Sequence, residues 1–178
     1  MHKKILLTGS HSTGKSTLLR NLQNLKQFQD FKFIGGVTRE AHSYGLDINE
    51  KGDSLTQLYC MCKDFLNIVQ NQNSSVVFDR SILDTYIYSQ YLNKNLEPWV
   101  LTTMTEVCSM LIGEFDLILW LRPELPITDD RVRSLNVEFQ LGVDQMFETY
   151  FKYHSTLPVY HLKGNIRQRI LQVKELLK

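Results

Sequence analysis

The stretch Gly9-Ser10-His11-Ser12-Thr13-Gly14-Lys15-Ser16-Thr17 fits G-x-x-x-x-G-K-[ST] without a mismatch. Each residue type in it has its own use in holding phosphate. Gly9 and Gly14 allow backbone turns closed to other side chains, so successive N–H groups along Ser12 and Thr13 face an anion and the following helix adds its positive end. Lys15 supplies a mobile charge for the β- and γ-phosphates, Ser16 a hydroxyl ligand for Mg²⁺, and Thr17 a contact toward the α-phosphate. Three more charged sets follow apolar runs: Thr38-Arg39-Glu40, Asp79-Arg80-Ser81, and the segment carrying Arg131 and Arg133.

These groups can act together only if a scaffold brings them to one edge. Apolar runs predict strands over 5–8, 31–37, 75–79, 116–121 and 158–162, and helical spacing predicts helices over 16–25, 39–44, 54–70, 82–92, 97–112, 137–153 and 165–177. Strands alternating with helices imply an α/β fold with a parallel sheet, in which ligands bind at the strands' C-terminal ends. The phosphate loop, Arg39-Glu40 and Asp79-Arg80 all follow such ends. In the helix over 54–70, Leu55, Leu58, Tyr59, Cys62, Phe65, Leu66 and Val69 make an apolar face expected to be core. Gly113 is expected near the C-cap of the helix over 97–112. The polar, Pro-interrupted segment 122–134 reads as a mobile lid at the ligand edge.

The length of 178 residues suits a single domain with a real core, here the whole of 1–178. Lys plus Arg number 20 against 19 Asp plus Glu, so no bulk basic field marks a nucleic-acid coat. The apolar run at 5–7 is too short for a signal peptide and no run reaches the length of a membrane span; a cytoplasmic location is expected. Cys60, Cys62 and Cys108 make no disulfide framework, and the histidines show no metal-ligand spacing.

The motifs resemble a small P-loop kinase, and more narrowly the AAA-type nucleoside kinase family that includes the ribosylnicotinamide kinase domains, over nearly the whole chain. Val37-Thr38-Arg39-Glu40-Ala41 is similar to the family's Arg-bearing segment, Phe78-Asp79-Arg80-Ser81 with Asp84, Tyr86 and Tyr88 to its Asp-Arg strand end, which thymidylate kinases share, and Leu125-Pro126-Ile127-Thr128-Asp129-Asp130 with Arg133 to its lid. The resemblance implies a P-loop NTPase fold, a three-layer αβα architecture with five parallel strands in the order 2-3-1-4-5. Arg131 departs from the pattern, standing where related lids often have a small residue. No second acid follows Asp79, which leaves Asp79 and Glu40 as the candidate catalytic carboxylates.

The expectation is an ATP- and Mg²⁺-dependent phosphotransferase acting on a nucleoside, nucleotide or nucleoside-like small molecule. Lys15, Mg²⁺ on Ser16, and Arg131 or Arg133 would neutralise the transferring group, Asp79 would orient Mg²⁺ or take the acceptor's proton, and Arg39, Glu40 and Arg80 would lie on the acceptor side. A polynucleotide hydroxyl kinase shares the donor half and would need an open basic groove. A regulatory ATPase would hydrolyse ATP without acceptor. A GTPase switch is disfavoured, since Asn93-Lys94-Asn95-Leu96 and Glu50-Lys51-Gly52-Asp53 each miss one end of N-K-x-D. The oligomeric state is left open.

Overall fold

Strands covered by helices on both faces form apolar runs rather than alternating, and the central strands here obey that rule except at their ends. The computed structural model describes residues 2–124, 126–127 and 132–177. Strands β1 (Lys4–Thr8), β2 (Lys32–Ile34), β3 (Val76–Asp79), β4 (Leu117–Leu121) and β5 (Val159–Leu162) pair in parallel in the order β2-β3-β1-β4-β5. All residues of β3 and β4 are buried.

Helices α1 (Lys15–Gln23), α2 (Thr38–Ser43), α3 (Ser54–Gln70), α4 (Ile82–Tyr91), α5 (Pro98–Leu111), α6 (Val137–Tyr153) and α7 (Ile166–Leu176) complete the chain. The pleat of β1 divides the core in two. Ile5 and Leu7 pack with Leu18 and Leu22 of α1 and Val173 of α7. Leu6 joins Phe78 and Ile118 beneath Ile68 of α3, Leu83 of α4, Met104 of α5 and Phe147 of α6. This is the expected three-layer αβα arrangement. Side-chain caps set several helix starts: Asp53 accepts from the Thr56 N–H at 2.9 Å and Asn136 from the Phe139 N–H at 3.2 Å. By contrast α1 has no side-chain cap and no acid in its first turn, which leaves the positive end of its dipole uncompensated.

Helix α5 ends at Leu111 with Ile112 as its C-cap, so Gly113 lies beside the C-cap as expected, within a 3₁₀ turn over Ile112–Glu114. Two expectations need correcting. The second strand, expected over 31–37, stops at Ile34, and Gly35, Gly36 and Val37 leave the sheet to line the cavity. Helix α3 has the expected bounds but is rotated from the expected face. Leu55 is 62% exposed, Leu66 46% and Val69 39%, and Cys62 lies outside with them, whereas Leu58 and Tyr59 stay half-buried against the core and Thr56, Gln57, Cys60, Met61, Asp64 and Ile68 are buried. Much of the apolar face is thus turned outward, while Thr56, Gln57, Cys60 and Asp64 border the cavity. Among the described residues no helix is long and apolar enough to cross a membrane.

The rotation of α3 separates the thiols. Burial pushes Cys60 and Cys108 each up to about 12, whereas Cys62 is exposed. One thiol of three is therefore expected to react quickly with a disulfide reagent at pH 8, the other two only on denaturation, and Cys62→Ser should abolish the fast phase. A fast phase that survives this substitution would contradict the orientation of α3.

Candidate active site

The phosphate loop leaves β1 through positions only glycine occupies comfortably. Gly9 has φ +129°, and a Cβ there would lie 2.2 Å from the Leu121 carbonyl oxygen. Gly14, at φ +88°, turns the chain into α1. Lys15 is buried beneath the loop, its Nζ donating to the carbonyls of Gly9, at 2.8 Å, and Ser10 and to Thr13 Oγ1 at 3.0 Å. Burial, with the Arg80 charge adding to it, pulls the Lys15 pKa well below the ordinary lysine value.

Strand β3 brings the second set beside the first. Its register on β1 pairs Asp79 with Leu7, and Ser16 Oγ donates to Asp79 Oδ2 at 2.7 Å. A hydroxyl and a carboxylate oxygen at that spacing are the hard ligands Mg²⁺ prefers, so the residues fit the ion the fold family implies. Arg133 Nη2 reaches the same Ser16 Oγ at 3.4 Å. Arg131, its expected partner in the lid, lies outside the described residues, as do Leu125 and Thr128 to Asp130.

Arg80 takes φ +71°, uncommon for a side chain of its size, and so turns back over the cavity. Its Nη1 donates to Asp84 Oδ1 at 2.9 Å and its Nη2 to the Tyr88 hydroxyl at 3.3 Å. Burial opposes the Arg80 charge, but Tyr88, Asp84 and Asp79 outweigh it and raise its pKa. The ion pair at this strand end thus joins Arg80 to Asp84 and not to Asp79. Asp84 also accepts from Thr8 Oγ1 at 2.9 Å.

One cavity of about 340 Å³ joins these groups. Ser12, Thr13, Gly14, Lys15, Ser16, Asp79, Arg80, Arg39 and Arg133 all line it. Gly9, Thr17 and Glu40 do not: Gly9 acts through its carbonyl, Thr17 is exposed, and Glu40 pairs with Lys63 at 2.9 Å, a hydrogen bond that holds its pKa down. The far wall escaped the sequence reading. Thr85 Oγ1 donates to Asp64 Oδ2 at 2.7 Å and Ser89 Oγ to Gln57 Oε1 at 3.0 Å, and Gln57, Asp64 and Thr85 line the cavity. Gln57, Cys60, Asp64 and Ile68 recur at steps of three and four, a signal hidden because the louder apolar pattern of α3 lies on the other side.

A phosphate loop on the central strand of a parallel β2-β3-β1-β4-β5 sheet, with an Asp-Arg strand end beside it, defines a P-loop αβα protein. The chain belongs to the AAA_28 family of AAA domains, whose model matches residues 4–169. Against curated protein sequences nothing matches. Among solved structures, NadR protein in complex with NR superposes with a TM-score of 0.70 at 20% identity, over 92% of this chain and 44% of that one. The chain thus spans less than half the length of NadR. Deoxyadenosine kinase from M. mycoides, with product dCMP and a flexible dCDP bound, superposes with a TM-score of 0.69 at 18% identity, over 97% of this chain and 98% of that one. At these identities the likeness is one of fold.

Two buried groups along the cavity titrate in opposite senses. Burial, with Arg80, Lys15 and Arg133, pulls His11 from 6.5 down to about 3, and burial pushes Asp64 from 3.8 up to about 7. Below pH 6.5 the unfolded chain protonates His11 and the native one does not, so His11 removes about 1.4 kcal/mol of stability per pH unit on acidification. Below pH 7 native Asp64 is protonated while its unfolded form stays ionised until about 3.8, so Asp64 adds stability at the same rate. The two cancel where they overlap. Denaturant unfolding between pH 7 and 4 should show His11→Gln gaining stability relative to the parent on acidification and Asp64→Asn losing it; parallel curves would refute both assignments.

Proposed function

We propose that this protein is an ATP-dependent phosphotransferase that phosphorylates a nucleoside-like small molecule. The observation that carries this reading is the single cavity running from Lys15 and Ser16, past the Ser16–Asp79 contact, to the wall of Gln57, Asp64 and Thr85. Donor phosphate at one end and a polar, walled space at the other is what transfer between two small molecules requires. The volume lies at the low end of small-ligand sites, which favours a small acceptor over a polynucleotide. NadR bound to NR and deoxyadenosine kinase bound to dCMP, proteins of the same fold, support a nucleoside-like acceptor.

Lys15 and the loop amides hold the triphosphate, and Arg133, poised at Ser16, meets the charge that spreads over the γ-phosphoryl oxygens. Ser16 would hold Mg²⁺ directly and Asp79 through water, and the ion would supply charge neutralisation at the phosphates. The acceptor's hydroxyl oxygen bonds to the γ-phosphorus as the bond to the bridging oxygen of ADP breaks. The proton leaves toward Asp79, the cavity carboxylate beside Ser16, which can take it if it orients the ion only through water; Glu40 stands off the cavity wall. Arg39 and Arg80 form the acceptor side of the same space.

The deciding experiment is ADP release in the presence of nucleosides, nucleoside monophosphates, nicotinamide riboside and 5′-hydroxyl oligonucleotides. Release that depends on a nucleoside or mononucleotide supports the proposal; dependence on the oligonucleotide points to a polynucleotide kinase, and release without any acceptor to a regulatory ATPase. Lys15→Ala and Asp79→Asn should each lower turnover by about a hundredfold or more, while Arg39→Ala should mainly raise the acceptor KM and leave ATP affinity unchanged. Near-normal turnover in folded Lys15→Ala protein would end the kinase assignment.

A further inference from the structure

The carbonyl oxygens of the phosphate loop are held from outside the cavity by two buried side chains far away in sequence. Gln140 of α6, 3% exposed, donates from Nε2 to the His11 carbonyl at 2.7 Å. Arg169 of α7, 2% exposed, donates from Nη1 to the Thr13 carbonyl at 2.6 Å. Its other arm, Nη2, is held at 3.1 Å by Glu124, which also accepts from the Gly164 N–H at 2.8 Å. In a planar trans peptide the C=O and the next residue's N–H point in opposite directions, and no described peptide bond is cis. Fixing the His11 carbonyl therefore fixes the Ser12 N–H, and fixing the Thr13 carbonyl fixes the Gly14 N–H. With Gly9 and Ser10 carbonyls taken by Lys15, and that of Gly14 by the Leu18 N–H at 2.9 Å, successive loop carbonyls are turned to protein donors.

We infer that Gln140 and Arg169 are positioning residues for phosphate binding: by pulling on alternate carbonyls they aim the Ser12 and Gly14 amides at the anion. This rests on the phosphate-loop part of the proposed function. It accounts for a buried glutamine and a buried arginine at helix positions that apolar residues would otherwise fill, and for the guanidinium that reaches the loop backbone while braced by Glu124. Pre-aimed dipoles need no reorganisation when the charge arrives.

The test uses the full chain and inorganic tripolyphosphate with Mg²⁺, a probe that engages the loop without base or acceptor. Calorimetry gives its Kd for the parent, Gln140→Met, Arg169→Met and Arg169→Lys, each shown folded by its denaturation curve, and amide NMR follows the Ser12 and Gly14 N–H resonances. Gln140→Met, which changes no charge, and Arg169→Met should each weaken binding by about tenfold or more, and Arg169→Lys should recover part of the loss. The downfield shift on binding should shrink for Ser12 in the Gln140 variant and for Gly14 in the Arg169 variants. If Arg169→Met does not fold, Gln140→Met and Arg169→Lys carry the test. Parent-like Kd and amide shifts in these folded variants would overturn the inference, whereas a parent that binds no tripolyphosphate would overturn the phosphate-loop reading beneath it.

Discussion

One buried carboxylate joins the ends of the two strands on which the site stands. Asp84, in the first turn of α4, accepts from Thr8 at the end of β1 and from the Arg80 guanidinium just past β3, and closes a capping box with Ser81. Burial pushes its pKa up, and Arg80, Lys15 and the Thr8 hydroxyl work against that. Such a charge stays buried only while its partners remain; removing one partner of a buried pair typically costs about 3–5 kcal/mol. The same bonds fix the backbone after Asp79, so the carboxylate facing Ser16 is positioned by the node that turns Arg80 back over the cavity. Structural and functional demands fall here on the same few atoms.

The orientation of α3 follows from what lies beneath it. A helix over a sheet ordinarily turns its most apolar stripe inward, since burying apolar area is the main favourable term in folding. Over the cavity that term is weak, because the space between α3 and α4 is lined by Thr85, Tyr88, Arg80 and Asp84. Gln57 and Asp64 can be buried there because Ser89 and Thr85 satisfy them, and without those donors each would carry the cost of an unpaired buried polar group. Met61 and Ile68, with the half-buried Leu58, continue the helix into the main core. The helix is thus held by a short apolar contact and a polar network rather than by a full stripe.

That division explains what was legible in the sequence. The strands, the bounds of α3 and α6, and the order of elements could be read because apolar runs, caps and the phosphate-loop motif are local signals; the strand order came only with the family resemblance. The meeting of Lys15, Ser16 and Asp79 in one cavity was legible too, since they sit at motif or strand-end positions whose geometry the fold imposes. The far wall was not, because no local pattern separates a glutamine or aspartate on a cavity wall from one in solvent. Glu40 shows the converse: one residue beyond Arg39, it pairs outward with Lys63, since neighbours in a helix point about 100° apart. Gln140 and Arg169 lie beyond such reading altogether, their partners being backbone atoms more than a hundred positions away.

The chain on either side of Arg133 shows the same dependence on distant parts of the sequence. Asn49 adopts φ +58°, a left-handed conformation that asparagine tolerates better than most residues, and donates from Nδ2 to the Val132 carbonyl at 2.7 Å. Ser134 donates to Glu50 of the same turn, so bonds to one short turn bracket Arg133 on either side. That turn leads directly into α3, and Ile48 and Asn49 line the cavity. Arg133, which reaches the Ser16 hydroxyl, is therefore braced by the segment that also borders the proposed acceptor space. The phosphate loop, the stretch around Arg133 and the cavity wall each take their shape from elements elsewhere in the chain, which makes the site a property of the completed fold. Any ligand that binds only this arrangement stabilises all of those elements together.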